Sequence, residues 1–223
     1  MKFGGTSVAN LSRIKNLQQL VKNKVLSGHK KIILVVSAMS GVTNTLVKQY
    51  KKIDSDINKP EYDVILSTGE QYSSALISTF LNKNGVNSRS ILGWQIPIIT
   101  DNKFSQARIQ RIDTEKILKL LKKFNVLVVA GFQGISSEGR ITTLGRGGSD
   151  TSAVAIAVAL KSKICEIYTD VEGIFSSDPK VVKEAKKIKN ITYEEILEMA
   201  SLGSKVLHPR SVELAMKYDI KIH

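Results

Sequence analysis

Short runs of apolar, often β-branched residues alternate along this chain with segments of helical periodicity. No other feature restricts the fold as much. KKIILVVSAMS contains the continuous apolar run Ile32–Val36, and NVLVVAGFQG contains Val126–Ala130. KICEIYTD contains a third strand, ending at Thr169 and Asp170. Apolar residues at every position, rather than at alternate ones, suit strands covered on both faces. Between the strands, Leu11, Ile14, Leu17, Val21 and Val25 recur at spacings of three and four, so one helical face is apolar until Gly28 ends it. A second helical run spans about residues 62–84 and stops at Gly85. DTEKILKLLKKF predicts a short amphipathic helix, and SDTSAVAIAVALK is apolar nearly all round, which predicts a buried one. TYEEILEMA opens on Thr192 with Glu195 three residues on, a capping-box pattern. Residues 134–143 are turn-rich and read as a hairpin. Strands alternating with helices predict an α/β domain with a largely parallel sheet. Polar, glycine-bearing turns follow the strands, and in open α/β sheets ligands bind at that edge.

With 223 residues, 42% hydrophobic and 24% charged, the chain suits one large globular domain or a tight pair of small ones, and it is read as one domain over 1–223 with a proper core. A single cysteine, Cys165, permits no intramolecular disulfide, so a reducing, cytoplasmic setting is expected. There is no apolar stretch of 18 residues and no signal-peptide pattern, so no membrane partner is expected. The net charge of +13 raises nucleic acid as a partner. Its lysines are scattered along helices (Lys48, Lys51 and Lys52; Lys116, Lys119, Lys122 and Lys123; Lys183, Lys186, Lys187 and Lys189). They lack aromatic interleaving and any recognised DNA- or RNA-binding pattern, so solvated helix faces are expected and no nucleic acid.

Several motifs bear on chemistry. KFGGTS (2–7) joins Lys2 to a glycine pair and two hydroxyls. Such a turn either cradles a polyphosphate, with Lys2 neutralising a transferring phosphoryl group, or is an ordinary strand-to-helix turn. GRGGSDTSA (145–153) is a Gly-rich turn feeding a helix N-terminus, a natural anion site. Yet it carries Asp150. That carboxylate either complements the helix dipole or faces cations, with Lys2 and Lys205 as candidates. SAMSGVTN (37–44) presents Ser37, Ser40 and Thr43 at a strand end, as a ligand-binding turn or a polar loop and cap. LSTGEQYSSAL buries Glu70 in an apolar helical run, where it needs either an internal arginine or a ligand's ammonium group. Asp170 in YTDVEGIFSSDP holds a nucleotide group or shapes the turn. In LGSKVLHPRS, Lys205 lies in a helical stretch that His208-Pro209 interrupts, and His208 reads as structural rather than catalytic. The P-loop pattern, the protein-kinase HRD and DFG motifs and the dinucleotide GxGxxG are all missing, which disfavours those three classes.

Taken in order, KFGGTS, SAMSGVTN, STGEQ, GRGGSDTSA, YTDVEGI with DP, and GSKVLHPRS resemble the aspartate kinases of the amino acid kinase family, over essentially the whole chain. The resemblance implies a three-layer αβα sandwich and phosphorylation of the side-chain carboxylate of L-aspartate by ATP. The product is 4-phospho-L-aspartate, the first intermediate toward lysine, methionine and threonine. It implies Mg²⁺ carried by ATP rather than by a protein metal site. Lys2 and Asp150 are implied as catalytic residues. Ser37, Thr43, Glu70, Arg146, Gly147, Gly148 and Ser149 are implied at the aspartate. Lys2, Phe3, Gly4, Gly5, Thr6, Ser7, Thr169, Asp170, Phe175, Lys180, Lys205 and Val206 are implied along the nucleotide. Where family members often carry proline, tyrosine and arginine, this chain has Glu172, Phe175 and Lys180, all on the nucleotide side. The resemblance also implies a catalytic domain trimmed at both ends, without regulatory domains, from a homo-oligomeric full-length protein. Kinases of the same family acting on glutamate, acetylglutamate or a nucleoside monophosphate are the alternative. A nucleotide-binding module without catalysis and a basic nucleic-acid binder are the readings from other classes.

Overall fold

The computed structural model describes residues 1–178, 181–202 and 207–223. In chain order the elements are β1 (Lys2–Phe3), a 3₁₀ turn (Gly5–Val8), α1 (Leu11–Leu26), β2 (Ile32–Val36), α2 (Val42–Lys51) and α3 (Pro60–Lys83). Then follow β3 (Ser88–Ile91), β4 (Ile98–Thr100), β5 (Ile109–Ile112), α4 (Thr114–Leu121), β6 (Val126–Ala130), β7 (Gln133–Ser136) and β8 (Ile141–Thr143). The chain finishes with α5 (Gly148–Ala159), β9 (Ile164–Cys165), β10 (Ile167–Tyr168), α6 (Tyr193–Ser201), α7 (Pro209–Tyr218) and β11 (Lys221–Ile222).

The main sheet is wholly parallel, in the order β10-β1-β2-β6-β3. Its two faces explain the continuous apolar runs. Ile32, Leu34, Val36, Val126 and Val128 pack with Ile14, Leu17 and Val21 of α1 and Ile77 and Leu81 of α3. Val35, Leu127 and Val129 point the other way, onto Ile117 and Leu121 of α4 and Ala153, Val154 and Ile156 of α5. Helix, sheet and helix thus form the expected αβα sandwich. A four-stranded mixed sheet, β5-β4-β7-β8, flanks it and contains the expected hairpin, β7 antiparallel to β8.

Four details depart from the expectations. Leu11 opens α1 but is 64% exposed, so the buried stripe runs from Ile14 to Val21. The third strand is two pieces: β9 pairs with β11, while β10 pairs with β1 and stops at Tyr168, before Thr169. Glu166 sits at the switch and accepts from Lys24 Nζ at 2.7 and 2.8 Å. Pro209 does not interrupt a helix in the described residues; it begins α7, where a missing N–H costs nothing. Finally, β3, β4 and β5 carry too few residues to show a period and were not anticipated.

Candidate active site

At the carboxyl edge of β1, β2 and β6 lies a cleft of about 920 Å³, in the size range of small-molecule sites. Lys2, Ser37, Thr43, Glu70, Arg146, Gly147, Gly148, Ser149 and Asp150 all line it. Residues scattered over nearly 150 positions of sequence therefore meet because the strand ends converge.

Lys2 belongs to β1, held between Ile167 of β10 and Val35 of β2, and is only 8% exposed. Its Nζ lies 2.7 Å from Asp150 Oδ1, an ion pair. Asp150 stands in the first turn of α5. The carboxylate in the Gly-rich turn thus complements the helix dipole and also faces a cation; the two readings of it hold together. Lys205, the other candidate cation, lies outside the described residues, as do Val206 and Lys180.

Glu70 is buried on α3, and its Oε1 accepts from the Ala38 N–H at 3.0 Å. Its Oε2 is buried with no partner. No ion pair joins it to an arginine among the described residues. Burial pushes its carboxyl up to about 7, against the Ala38 hydrogen bond, which pulls it down. A buried carboxyl with one partnered oxygen, on a cleft wall, has acceptor capacity left for a cationic or hydrogen-bonding group.

The turn 145–149 carries Arg146, exposed at the cleft. Gly147 caps α5 in the left-handed region (φ 68°), and a Cβ there would overlap the His208 ring. The turn is therefore glycine for two independent reasons. From α7, Arg210 Nη1 donates to Leu144 O at 3.0 Å and clamps the turn from behind. His208 caps α7, lines the cleft, and keeps Nδ1 buried without a partner. Burial, then the charge of Arg210, lowers its pKa below the usual histidine value.

On the other side of Lys2 lies the GGTS turn. Gly4 N–H donates to Tyr168 O at 3.0 Å and Ser7 Oγ to the same oxygen at 3.4 Å, which docks the turn on the end of β10. Gly5 permits the approach to the loop after β2, since a Cβ would stand 2.7 Å from Ala38 O. Gly4, Gly5, Thr6 and Ser7 do not line the cleft itself but adjoin Lys2. The Phe3 side chain, by contrast, is buried and stacked on Tyr168 at 4.6 Å, so its ring serves the core and cannot contact a nucleotide. Thr169 and Asp170 are exposed and bonded to each other, Oγ1 to Oδ1, at 3.1 Å. Phe175 is half-buried, on a β-bridge to Lys187, and does not line the cleft.

Sequence reasoning missed several cleft residues: Tyr62, Ser105, Gln106, Phe132, Thr143 and Arg210. Ser105 and Gln106 follow β4, whose three residues gave no signal. Thr143 lies just before GRGGSDTSA and Arg210 lies within LGSKVLHPRS, but neither position carries a binding signal of its own. Among the described residues no group of three or more His, Cys, Asp or Glu could cage a metal.

Three comparisons bear on this geometry. A model of the amino acid kinase family matches residues 1–223. The aspartokinase of Rickettsia felis (strain ATCC VR-1525 / URRWXCal2) is 50% identical over 222 residues, 98% of this chain and 55% of that protein. Among solved structures, aspartate kinase from Synechocystis superposes with a TM-score of 0.85 at 48% identity, over 99% of this chain and 36% of that one. E. coli aspartokinase III in complex with aspartate and ADP gives 0.86 at 30% identity, over 99% and 60%. The chain spans about half the length of the curated relatives it matches.

Proposed function

The chain belongs to the amino acid kinase family, and on that premise we propose that residues 1–223 are the catalytic domain of an aspartate kinase. It transfers the γ-phosphate of ATP to the side-chain carboxylate of L-aspartate, giving 4-phospho-L-aspartate and ADP. The observation that carries the proposal is Glu70 Oε2, buried, unpartnered and on the wall of the cleft that Arg146 also lines. An amino acid brings one ammonium and one α-carboxylate. Glu70 takes the first, and the Arg146 guanidinium takes the second, bidentately. Ser37, Thr43 and the Gly147–Gly148–Ser149 turn complete the acceptor site. The aspartokinase III complex with aspartate and ADP and the Rickettsia aspartokinase support this choice of substrates.

The acceptor carboxylate is ionised at pH 7 and needs no general base. One of its oxygens forms the new bond to the γ-phosphorus while the bond to the bridging oxygen breaks, leaving ADP. Catalysis is then positioning and charge stabilisation. Lys2 neutralises charge on the phosphoryl group, and Asp150 aims Lys2 from behind. Gly4 to Ser7 hold the phosphates, with the Phe3 backbone leading into them; Thr169, Asp170, Lys180, Lys205 and Val206 lie along the nucleotide. Mg²⁺, when bound, offsets phosphate charge. It would enter the site on ATP.

The protein works in the cytoplasm, which suits its free, buried Cys165, and the full-length protein is a homo-oligomer. No described helix is long and apolar enough to cross a membrane. Coupled ADP release over a panel of acceptors tests the proposal. Turnover with aspartate is expected. Turnover with glutamate, acetylglutamate or a nucleoside monophosphate and none with aspartate overturns it.

A further inference from the structure

Asp63 lies seven residues before Glu70 on α3, two helical turns away and on the same face. It is fully buried and does not line the cleft. No ion pair among the described residues neutralises it. Its carboxylate instead gathers two distant segments. The Ser105 N–H donates to both oxygens, at 2.9 and 3.0 Å. The Thr143 N–H donates to Oδ2 at 2.6 Å, and Thr143 Oγ1 to Oδ1 at 2.7 Å.

Both segments reach the acceptor side of the cleft. Thr143 ends β8, three residues before Arg146. Ser105 is held with φ at 65°, in the left-handed region a serine seldom occupies. Its carbonyl packs on Gly145, where a Cβ would stand 3.0 Å away. The Ala107 N–H donates to Thr143 O at 2.9 Å and joins the two segments to each other. One carboxylate on α3 thus ties down the turn that shapes Ser105 and Gln106 and the strand that delivers Arg146. The same helix carries Glu70.

We infer that Asp63 is a positioning residue for the amino-acid acceptor: by tethering residues 105 and 143 to α3 it sets the spacing between Glu70 and Arg146. A buried carboxylate suits this because it accepts bonds from two backbone N–H groups and a hydroxyl at once, where no neutral side chain of its size does so equally well. The spacing matters because an aspartate bound at both ends has a fixed span. The inference rests on the acceptor site proposed above.

The test uses full-length protein with Asp63→Ala and Asp63→Asn, folding being checked by thermal melts. The Ala variant, with all the bonds gone, should raise the KM for aspartate tenfold or more. The Asn variant, which keeps one acceptor oxygen, should raise it about threefold. The KM for ATP should stay within twofold in both. A purely structural role would lower kcat through a smaller folded fraction and leave both KM values alone. An aspartate KM unchanged in the folded Ala variant overturns the inference, as does an ATP KM rising in step with it. If the Ala variant does not fold, the same outcomes in the Asn variant decide. Wild-type protein that phosphorylates no acceptor sinks the proposed function alone. The tether is then read by amide hydrogen exchange of the Asn variant. Faster exchange over residues 105–107 and 143–148 supports it, and unchanged exchange overturns it.

Discussion

Under the proposed function, Glu70 is the residue at which ligand binding and stability pull in opposite directions. Its carboxyl is raised from 4.5 to about 7 by burial, so the folded protein favours the neutral form. The stability this group contributes is complete below pH 4.5 and is lost as pH rises through 7, an amount of about 3 kcal/mol. An ammonium group needs the charged form. The KM for aspartate should therefore fall as pH rises through 7, while Glu70→Gln should bind aspartate weakly at every pH. Urea midpoints at pH 4 and pH 8 read the other side. Wild type should lose stability relative to Glu70→Gln across that range, and equal differences at both pH values would refute the burial argument. Lys2 and Arg146 separate differently. Lys2→Ala should lower kcat by about 100-fold or more, with ATP binding partly kept, because its charge serves the transition state. Asp150→Ala should follow it in direction. Arg146→Ala should raise the KM for aspartate about tenfold and spare kcat. Steady-state kinetics on the three variants checks the split. Near-normal kcat in Lys2→Ala would remove it from the chemistry.

At the scale of elements, the seam between the start of α5 and the start of α7 holds the turn 145–149 in place. Gly147 and His208 are the N-caps of the two helices, and they meet there. An alanine at position 147 meets a positive φ and overlaps the His208 ring. Gly147→Ala should cost about 2 kcal/mol or more, of which about 1 belongs to the backbone. Adding His208→Ala should recover the overlap and leave the backbone part. A double-mutant cycle from urea melts measures this, and strict additivity would show that the ring had moved aside freely. How much of this seam was legible follows from chain distance. The capping box at Thr192 and Glu195 is local, and the pattern alone identified it. The Lys2–Asp150 pair is remote, yet both ends sat in conspicuous motifs. The contact of His208 with Gly147 had no such signal. A histidine before a proline reads as a helix boundary, and only the fold shows which turn its ring covers.

The whole molecule was legible where apolar runs were long and continuous. Ile32–Val36 and Val126–Ala130 are the middle of the parallel sheet, buried from both sides, and their β-branched content and five-residue length set them apart from the longer apolar run of α5. The flanking sheet was only half visible, because β4 and β5 are three and four residues long and stabilised by partners rather than by their own pattern. The split of the third strand was invisible for the same reason. Its two halves are distinguished only by what they pair with, β11 and β1. Charge works at this scale as well. The net charge is +13, and Lys48, Lys51, Lys52, Lys116, Lys119, Lys122, Lys123, Lys183, Lys186, Lys187 and Lys189 are all exposed. They lie on α2, on and just after α4, and in residues 183–189 rather than along one element. Tight phosphate-backbone binding needs several contacts in register with the duplex, each adding to a steep salt dependence. Dispersed lysines on separate elements do not provide that register, and at moderate salt their fields are screened beyond roughly 10 Å. Fluorescence anisotropy with random duplex DNA at about 0.2 M salt should show no saturable binding at micromolar protein. Saturation at that concentration, with log K falling steeply against log salt, would mean that the lysines form a continuous surface after all, and that the basic balance of the chain serves a polyanionic partner.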